Sequence, residues 1–192
     1  RIAMRVVEPP APEKIEQILE QVKREIGLAL SSKQEAAVYA TYRHNLSIIT
    51  GSPGTGKTTV LKTILEVYRR LHPQGEIALM APTGRASRRM AESTGVDKAK
   101  TLHSILGLAS EEDEIKRNNT QEPLSADLII VDEFSMVDMW LANKFFSRIK
   151  GGARVILVGD PDQLPSVGAG NVFRELIDCG LITCLLYTSP SP

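Results

Sequence analysis

The residues best suited to bind phosphate lie between positions 51 and 59, where the chain reads GSPGTGKTT and matches the pattern G-x-x-x-x-G-K-[ST] in full. Glycines in such a loop let backbone N–H groups point at phosphate oxygens, and the start of the following helix favours anions. The lysine neutralises the β- and γ-phosphates of a nucleotide, and the next hydroxyl binds magnesium. The segment therefore predicts a site for ATP and Mg²⁺. Its members are Gly51, Ser52, Pro53, Gly54, Thr55, Gly56, Lys57, Thr58 and Thr59.

An acidic pair follows the apolar run Leu128–Val131. Asp132 could hold magnesium together with Thr58, commonly through water, and Glu133 could orient or deprotonate an attacking water. Such a pair alone more often has a surface or capping role. With the phosphate loop upstream, we expect it to complete a hydrolytic site together with Lys57.

A neutral amide is the next candidate. Gln163 follows another apolar run and could donate a hydrogen bond to a γ-phosphate oxygen, thereby sensing whether that phosphate is present. From the residues alone, a polar turn is an equally good explanation. In a catalytic role, Gln163 would act as this phosphate sensor.

These candidates follow short β-branched runs, each succeeded by loop signals and a helical stretch. Such a rhythm predicts an α/β fold with a parallel sheet and helices on both faces, whose active groups lie at the carboxyl ends of the strands. The four predicted strands are Leu46–Thr50, Ile77–Ala81, Leu128–Val131 and Arg154–Val158.

Two helices are predicted before the phosphate loop. Residues 1–30 are expected to form a proline-rich linker and a helix that starts near Pro12 and stops at Gly27. This helix could end a preceding domain or pack on the following one. The next helix is expected after Ser32, in a capping box with Glu35. The polar residues 109–126 predict a surface loop, with a solvated acidic run at 111–114.

Composition excludes several classes of protein. The chain has 192 residues and no net charge, and no stretch approaches the roughly 20 apolar residues of a membrane span. Without a visible export signal, we expect a cytoplasmic protein with no membrane partner. The two cysteines, Cys179 and Cys184, lack the spacing of a zinc site. Because the chain opens with Arg1, we expect further sequence upstream.

Taken together, the segments resemble the ordered motifs of RecD-like superfamily-one 5′-to-3′ DNA helicases. LSSKQEAAV resembles the Q motif, which implies that Gln34 reads adenine; by itself this residue would be an exposed first-turn glutamine. ITGSPGTGKTT, LMAPTGRASRRM, TLHSILG, IIVDEFSMVD and VGDPDQLPSVGAGNVF resemble motifs I, Ia, Ib, II and III. The match covers about residues 30 to 183 and implies a RecA-like P-loop NTPase fold.

The resemblance also implies a path for single-stranded DNA. Residues matching motifs Ia and Ib would line it, and these are Pro82, Thr83, Gly84, Arg85, Thr101 and His103. A basic cluster supports this interpretation, since it suits phosphate contacts that carry no sequence information. Its members are Arg85, Arg88, Arg89, Lys98 and Lys100. The alternatives are a solvated basic helix and, for His103, a packed polar residue.

The resemblance implies a motor domain over residues 31–183 that works with a second RecA-like domain, absent here, and with possible nuclease-complex subunits. We expect residues 184–192, reading CLLYTSPSP, to be non-native. Two other functions stay open. One is the motor half of a conjugative relaxase-helicase, and the other is a nucleotide-gated binding module for which DNA is irrelevant.

Overall fold

A computed structural model describes residues 9–27, 29–108, 122–163 and 168–187 of the chain. The expected acidic run at 111–114, most of the linker at 1–12, part of motif III and the last five residues lie outside these ranges. The helices are α1 Pro12–Ile26, α2 Ser32–Arg43, α3 Lys57–Leu71, α4 Gly84–Thr94, α5 Leu102–Leu106, α6 Met139–Ser147 and α7 Val172–Asp178. The strands are β1 Leu46–Gly51, β2 Ile77–Ala81, β3 Ala99–Thr101, β4 Leu128–Val131, β5 Arg154–Gly159 and β6 Thr183–Tyr187. A 3-10 turn spans Phe134–Met136.

The strands form one parallel sheet in the order β3-β2-β4-β5-β1-β6. All four strands predicted from apolar runs are present, which confirms the α/β architecture. Two edge strands were not predicted. β3 has only three residues, and β6 extends into the segment 184–192, where no strand was expected. The non-native origin of that segment stays a prediction.

Two apolar layers cover the sheet because alternate strand residues point to opposite faces. Ile49, Ile130 and Ile156 pack with helices α1 to α4 in one core. Ile48, Ile129 and Leu157 pack with α5, α6, α7 and the 3-10 turn in the other. Both faces are thus covered by helices, as the uninterrupted apolar strands require.

Helix α1 belongs to the first of these cores. Its buried side chains Ile15, Leu19 and Val22 share that core with α3, and Arg70 of α3 pairs with Glu25 at 2.5 Å. Helix α1 therefore packs on the domain that follows it, which is one of the two arrangements expected from the sequence. The division of the chain at residue 30 stays a prediction.

The cap of α2 lies one residue earlier than expected. Ser31, rather than Ser32, is the N-cap, and Gln34, rather than Glu35, completes the capping box. The Gln34 Oε1 accepts from the Ser31 N–H at 2.9 Å, and the Ser31 hydroxyl accepts from the Gln34 N–H at 3.3 Å. Both serines satisfy the sequence pattern, so periodicity alone could not choose between them.

Among the described residues, no helix has the length and apolarity needed to cross a bilayer. The cytoplasmic location stays a prediction.

Candidate nucleotide-binding site

The candidate site lies at the carboxyl edge of the sheet, where β1, β5 and β4 end side by side. Because β5 lies between the other two, the phosphate loop after β1 and the acidic pair after β4 are separated by two strand spacings, about 10 Å. The space between them is a pocket of about 370 Å³. It is lined by Pro53, Gly54, Gly56, Lys57, Thr58, Arg89, Asp132, Glu133, Gly159, Asp160 and Gln163.

Two glycines give the phosphate loop its shape. Gly54 and Gly56 have φ values of 82° and 85°, in the left-handed region that other residues adopt at a cost. Thr55 closes the turn between them, since its hydroxyl donates to the Ser52 carbonyl at 2.8 Å. Gly56 then serves as the N-cap of α3, so the loop ends at a helix start that favours an anion.

The Lys57 ammonium is folded back onto this loop. It donates to the carbonyl oxygens of Gly51 and Ser52, the latter at 3.0 Å. These contacts hold the charge beside the pocket. A phosphate that replaces the carbonyls as acceptor would gain a charge-assisted hydrogen bond, which is stronger than a neutral one.

Asp132 is fixed at the end of β4. Its backbone N–H donates to the Met80 carbonyl at 2.9 Å, and its Oδ1 accepts from the Glu133 N–H at 2.8 Å. Burial raises the pKa of the Asp132 carboxyl above its usual value, while the Glu133 N–H opposes that shift. A divalent cation in the pocket would oppose this effect of burial, because it stabilises the charged form of the carboxyl.

Glu133 has an unusual backbone. With a φ of 54°, it is the only non-glycine of the described residues in the left-handed region. Such a conformation costs about 1–3 kcal/mol and persists where the surroundings enforce it. The Glu133 side chain lines the same pocket as Asp132.

The end of β5 adds Gln163 and a residue that sequence reasoning missed. Gln163 is exposed at the pocket rim, and its N–H donates to the Asp160 carbonyl at 3.3 Å. Asp160 itself is only 6% exposed and lines the same pocket. Its position directly after the strand was the available signal. In the sequence, however, Asp160 stands in the polar run GDPDQ, where it resembles an exposed turn residue.

Arg89 is a second pocket residue that was not expected there. In the sequence it belongs to the basic cluster, but in the structure its guanidinium lies 3.8 Å from the Glu133 Oε1. Lys98 and Lys100 lie elsewhere, beside β2 and α5 around a separate groove. The basic cluster is therefore not one continuous surface.

Gln34 lies next to the loop rather than among the residues lining the pocket. Its Nε2 is 3.5 Å from the Thr55 carbonyl, and its Oε1 is occupied by the capping box. The amide is thus held against the outside of the phosphate loop. Its reading of adenine stays a prediction.

Magnesium fits this donor set. The described residues contain no cluster of three or more His, Cys, Asp or Glu side chains able to hold a metal. Magnesium needs no such cluster, because it usually takes one or two protein ligands and completes its shell with phosphate oxygens and water. Thr58 and Asp132 face the same pocket and supply that number.

The residues expected to contact DNA lie at the same carboxyl edge, farther along the sheet at the ends of β2 and β3. Thr83, Gly84, Arg85 and His103 are exposed. The exposure of His103 argues against the packed alternative. Two threonines have a structural role as helix N-caps: Thr83 accepts from the Ala86 N–H at 3.2 Å, and Thr101 from the Ser104 N–H at 3.1 Å. Pro82 directly follows β2 and is half-buried.

A parallel RecA-like sheet with a phosphate loop, an acidic pair and a polar residue at adjacent strand ends defines a P-loop nucleotide-binding domain. Residues 34–169 match the model of the AAA domain family. The chain belongs to this family, and its relatives place it with the RecD-like superfamily-one helicases.

Two curated relatives illustrate the match. The ATP-dependent RecD2 DNA helicase of Deinococcus radiodurans is 43% identical over 141 residues, which cover 73% of this chain and 19% of that protein. The RecBCD enzyme subunit RecD of Haemophilus influenzae is 39% identical over 164 residues, covering 74% and 26%. The chain therefore spans about a fifth to a quarter of these two relatives.

Solved structures agree on the fold. The Pif1 helicase from Candida albicans superposes with a TM-score of 0.58 at 31% identity, covering 83% of this chain and 40% of that one. A Bacteroides Pif1 solved in complex with ADP-AlF4 gives a TM-score of 0.54 at 22% identity, covering 83% and 42%.

Proposed function

We propose that this chain is the ATP-binding motor domain of a DNA helicase that translocates 5′-to-3′ on single-stranded DNA. The observation that carries the proposal is the convergence of Lys57, Thr58, Asp132, Glu133 and Gln163 on one pocket. These residues come from three strand ends and are far apart in sequence. If each residue had only a structural role in a surface turn or a helix cap, the five side chains would have no reason to line the same pocket.

Each side chain has a role in this proposal. Lys57 leaves its carbonyl partners and binds the β- and γ-phosphates of ATP, while Thr58 and Asp132 hold Mg²⁺. Magnesium, when bound, neutralises charge that develops on the phosphate oxygens. Glu133 orients the attacking water and accepts its proton. Gln163 hydrogen-bonds the terminal phosphate and senses its loss.

The DNA side of the proposal rests on position and charge. Thr83, Gly84 and Arg85 are exposed at the start of α4, and His103 is exposed at the start of α5. Both helix starts lie at the carboxyl edge of the sheet that also carries the nucleotide pocket. Backbone N–H groups and a guanidinium there suit contacts with DNA phosphates, which fix position without reading sequence.

Full activity is proposed for a larger assembly. An arginine finger from a second domain is worth about 10³–10⁵ in rate in P-loop enzymes. We therefore expect this chain alone to bind Mg-ATP weakly, to hydrolyse it very slowly and to unwind nothing. A second RecA-like domain and nuclease-complex subunits are proposed partners of the whole protein, and the relative from Haemophilus influenzae is itself named as a subunit of the RecBCD enzyme.

Nucleotide binding tests the first part of the proposal. In calorimetry with Mg-ATP, Lys57→Ala should abolish measurable binding because the loop loses its phosphate-binding charge. Lys62→Ala is the matched control, since Lys62 is an exposed lysine on the same helix outside the pocket. Equal affinity of both variants and the unchanged chain would contradict the proposal.

Single-stranded DNA tests the second part. Affinity for an oligo-dT strand, measured by anisotropy across a salt series, should fall steeply as salt rises and should change when a slowly hydrolysed ATP analogue is present. A nucleotide-gated binding module would show the nucleotide affinity without the salt-dependent DNA affinity.

A further inference from the structure

Arg89 occupies an unexpected position between two parts of the molecule. It lies on α4, the helix that begins with the proposed DNA contacts, yet its guanidinium lines the nucleotide pocket. Its described ion-pair partner is Glu133, at 3.8 Å, and 66% of the Arg89 side chain is exposed. An exposed ion pair of this length is weak, so the guanidinium can exchange one anion for another at little cost.

The orientation of a bound nucleotide follows from the residues around the pocket. The phosphate loop and Lys57 hold the β-phosphate end on the β1 side. The terminal phosphate must lie towards Glu133, because a water activated by that carboxylate attacks it. One water between Glu133 and the phosphate sets their separation at about 5–6 Å, the sum of two hydrogen bonds. Since Arg89 is beside the Glu133 carboxylate, it is also beside the terminal phosphate.

We propose that Arg89 binds the terminal phosphate and gives this domain a preference for ATP over ADP. This inference rests on the proposed nucleotide site. In the nucleotide-free chain, the guanidinium pairs with the single charge of Glu133. A terminal phosphate offers more negative charge and several oxygens that suit the forked donors of arginine, so it is the stronger partner. A diphosphate has no group at the terminal-phosphate position, so Arg89 stays paired with Glu133.

Neighbouring arginines do not share this geometry. Arg88 is next in the chain and equally charged, but its Nε donates to the Gly84 carbonyl at 3.3 Å, and it does not line the pocket. Arg85, one turn earlier on the same face as Arg89, is also absent from the pocket lining. The position of Arg89, rather than the general charge of α4, therefore carries the inference.

Dissociation constants for Mg-ADP and for a slowly hydrolysed Mg-ATP analogue, measured on this chain, test the inference. Arg89→Ala should raise the dissociation constant of the triphosphate about 5- to 20-fold, a modest effect for a charge-assisted hydrogen bond because the site is partly exposed. The dissociation constant of ADP should change by no more than about twofold. Arg89→Lys should recover only part of the loss, because it keeps the charge without the fork. Arg88→Ala should leave the triphosphate-to-diphosphate ratio unchanged.

The outcomes separate the two claims. If the unchanged chain binds neither nucleotide, both the proposed function and the inference about Arg89 are wrong. If the chain binds both nucleotides in a Lys57-dependent way, while Arg89→Ala leaves their ratio intact, the inference alone is wrong. An unchanged ratio combined with weaker oligo-dT binding would identify Arg89 as a DNA contact instead. Thermal melts of each variant confirm that the fold is retained.

Discussion

Gly54 and Gly56 provide a matched pair for testing how the phosphate loop is built. Both have left-handed φ values, 82° and 85°. They differ in the space around them. A Cβ added at Gly54 meets no atom within 4 Å, whereas one at Gly56 would lie 2.5 Å from the Gln34 Nε2. Alanine at the first position therefore adds backbone strain alone, and alanine at the second adds strain and a collision.

The expected free energies follow from these two contributions. An L-residue in the left-handed region costs about 1 kcal/mol relative to glycine, which is the whole expected loss for Gly54→Ala. For Gly56→Ala the Gln34 side chain must also move away and release the Ser31 N–H that it accepts from at 2.9 Å. Losing that half of the capping box adds about 1 kcal/mol, so the total is about 2 kcal/mol.

Chemical denaturation of both variants and of Gln34→Ala measures these losses directly. Gln34→Ala alone should cost about 1 kcal/mol because it removes the same capping bond. In the Gly56→Ala, Gln34→Ala double variant the collision no longer exists. The double variant should therefore lose about 2 kcal/mol rather than the 3 kcal/mol of additive effects, giving a coupling of about 1 kcal/mol. For a chain of this size, each kcal/mol corresponds to about 2–4 °C in Tm.

Two results would refute this account. Equal destabilisation by Gly54→Ala and Gly56→Ala would show that Gln34 does not press against the loop. Additive losses in the double variant would show the same by an independent route. Either result would also show that the contacts of Gln34 with Gly56 and Thr55 do not hold its amide against the phosphate loop.

Two further predictions concern Asp132 and Gly159, which line the pocket at the ends of β4 and β5. Burial raises the folded-state pKa of Asp132, so this carboxyl destabilises the folded chain progressively as pH rises from its usual pKa to the raised one, and by a constant amount above that. Asp132→Asn should therefore stabilise the nucleotide-free chain at pH 7 while abolishing magnesium-dependent ATP binding. Urea melts at several pH values, paired with calorimetry, test both effects, and a destabilised variant at pH 7 would contradict them. Gly159→Ala should destabilise the chain by about 1–3 kcal/mol, because its Cβ would lie 2.9 Å from the Phe173 ring and 3.1 Å from the Ser135 backbone nitrogen. An unchanged denaturation midpoint would show that the Phe173 side chain can move aside without lowering the free energy of unfolding.

The features that could be predicted from the sequence are those whose amino-acid composition or spacing is strongly constrained. Four strands were found from apolar runs because a strand buried on both faces has little choice of composition. The edge strands β3 and β6 were missed for different physical reasons. Strand β3 pairs at only three positions, with Leu79, Met80 and Ala81, and its middle residue is Lys100. Strand β6 pairs with β1 at five positions, but most of it lies in residues 184–192, where no strand was expected. The phosphate loop and the acidic pair were found because their spacing is tied to chemistry.

The position of Arg89 shows where such reasoning stops. Its sequence context places it on a basic helix, and nothing in the periodicity of α4 tells which neighbour its face meets. That depends on how α4 crosses β2 and on the left-handed turn at Glu133, both of which are tertiary features. Asp160 is a similar case, since its burial follows from the placement of β5 between β1 and β4.

This geometry bears on how the two proposed sites could influence each other. Arg85 and Arg89 are four residues apart on α4, so they lie on one face at a separation of about one helical turn. Arg85 is proposed to meet DNA and Arg89 to meet the terminal phosphate. A helix is stiff over that distance, so a shift of its start on DNA binding must displace Arg89 relative to Glu133. Each ligand would then favour one position of α4, and that difference in affinity is all that coupling requires.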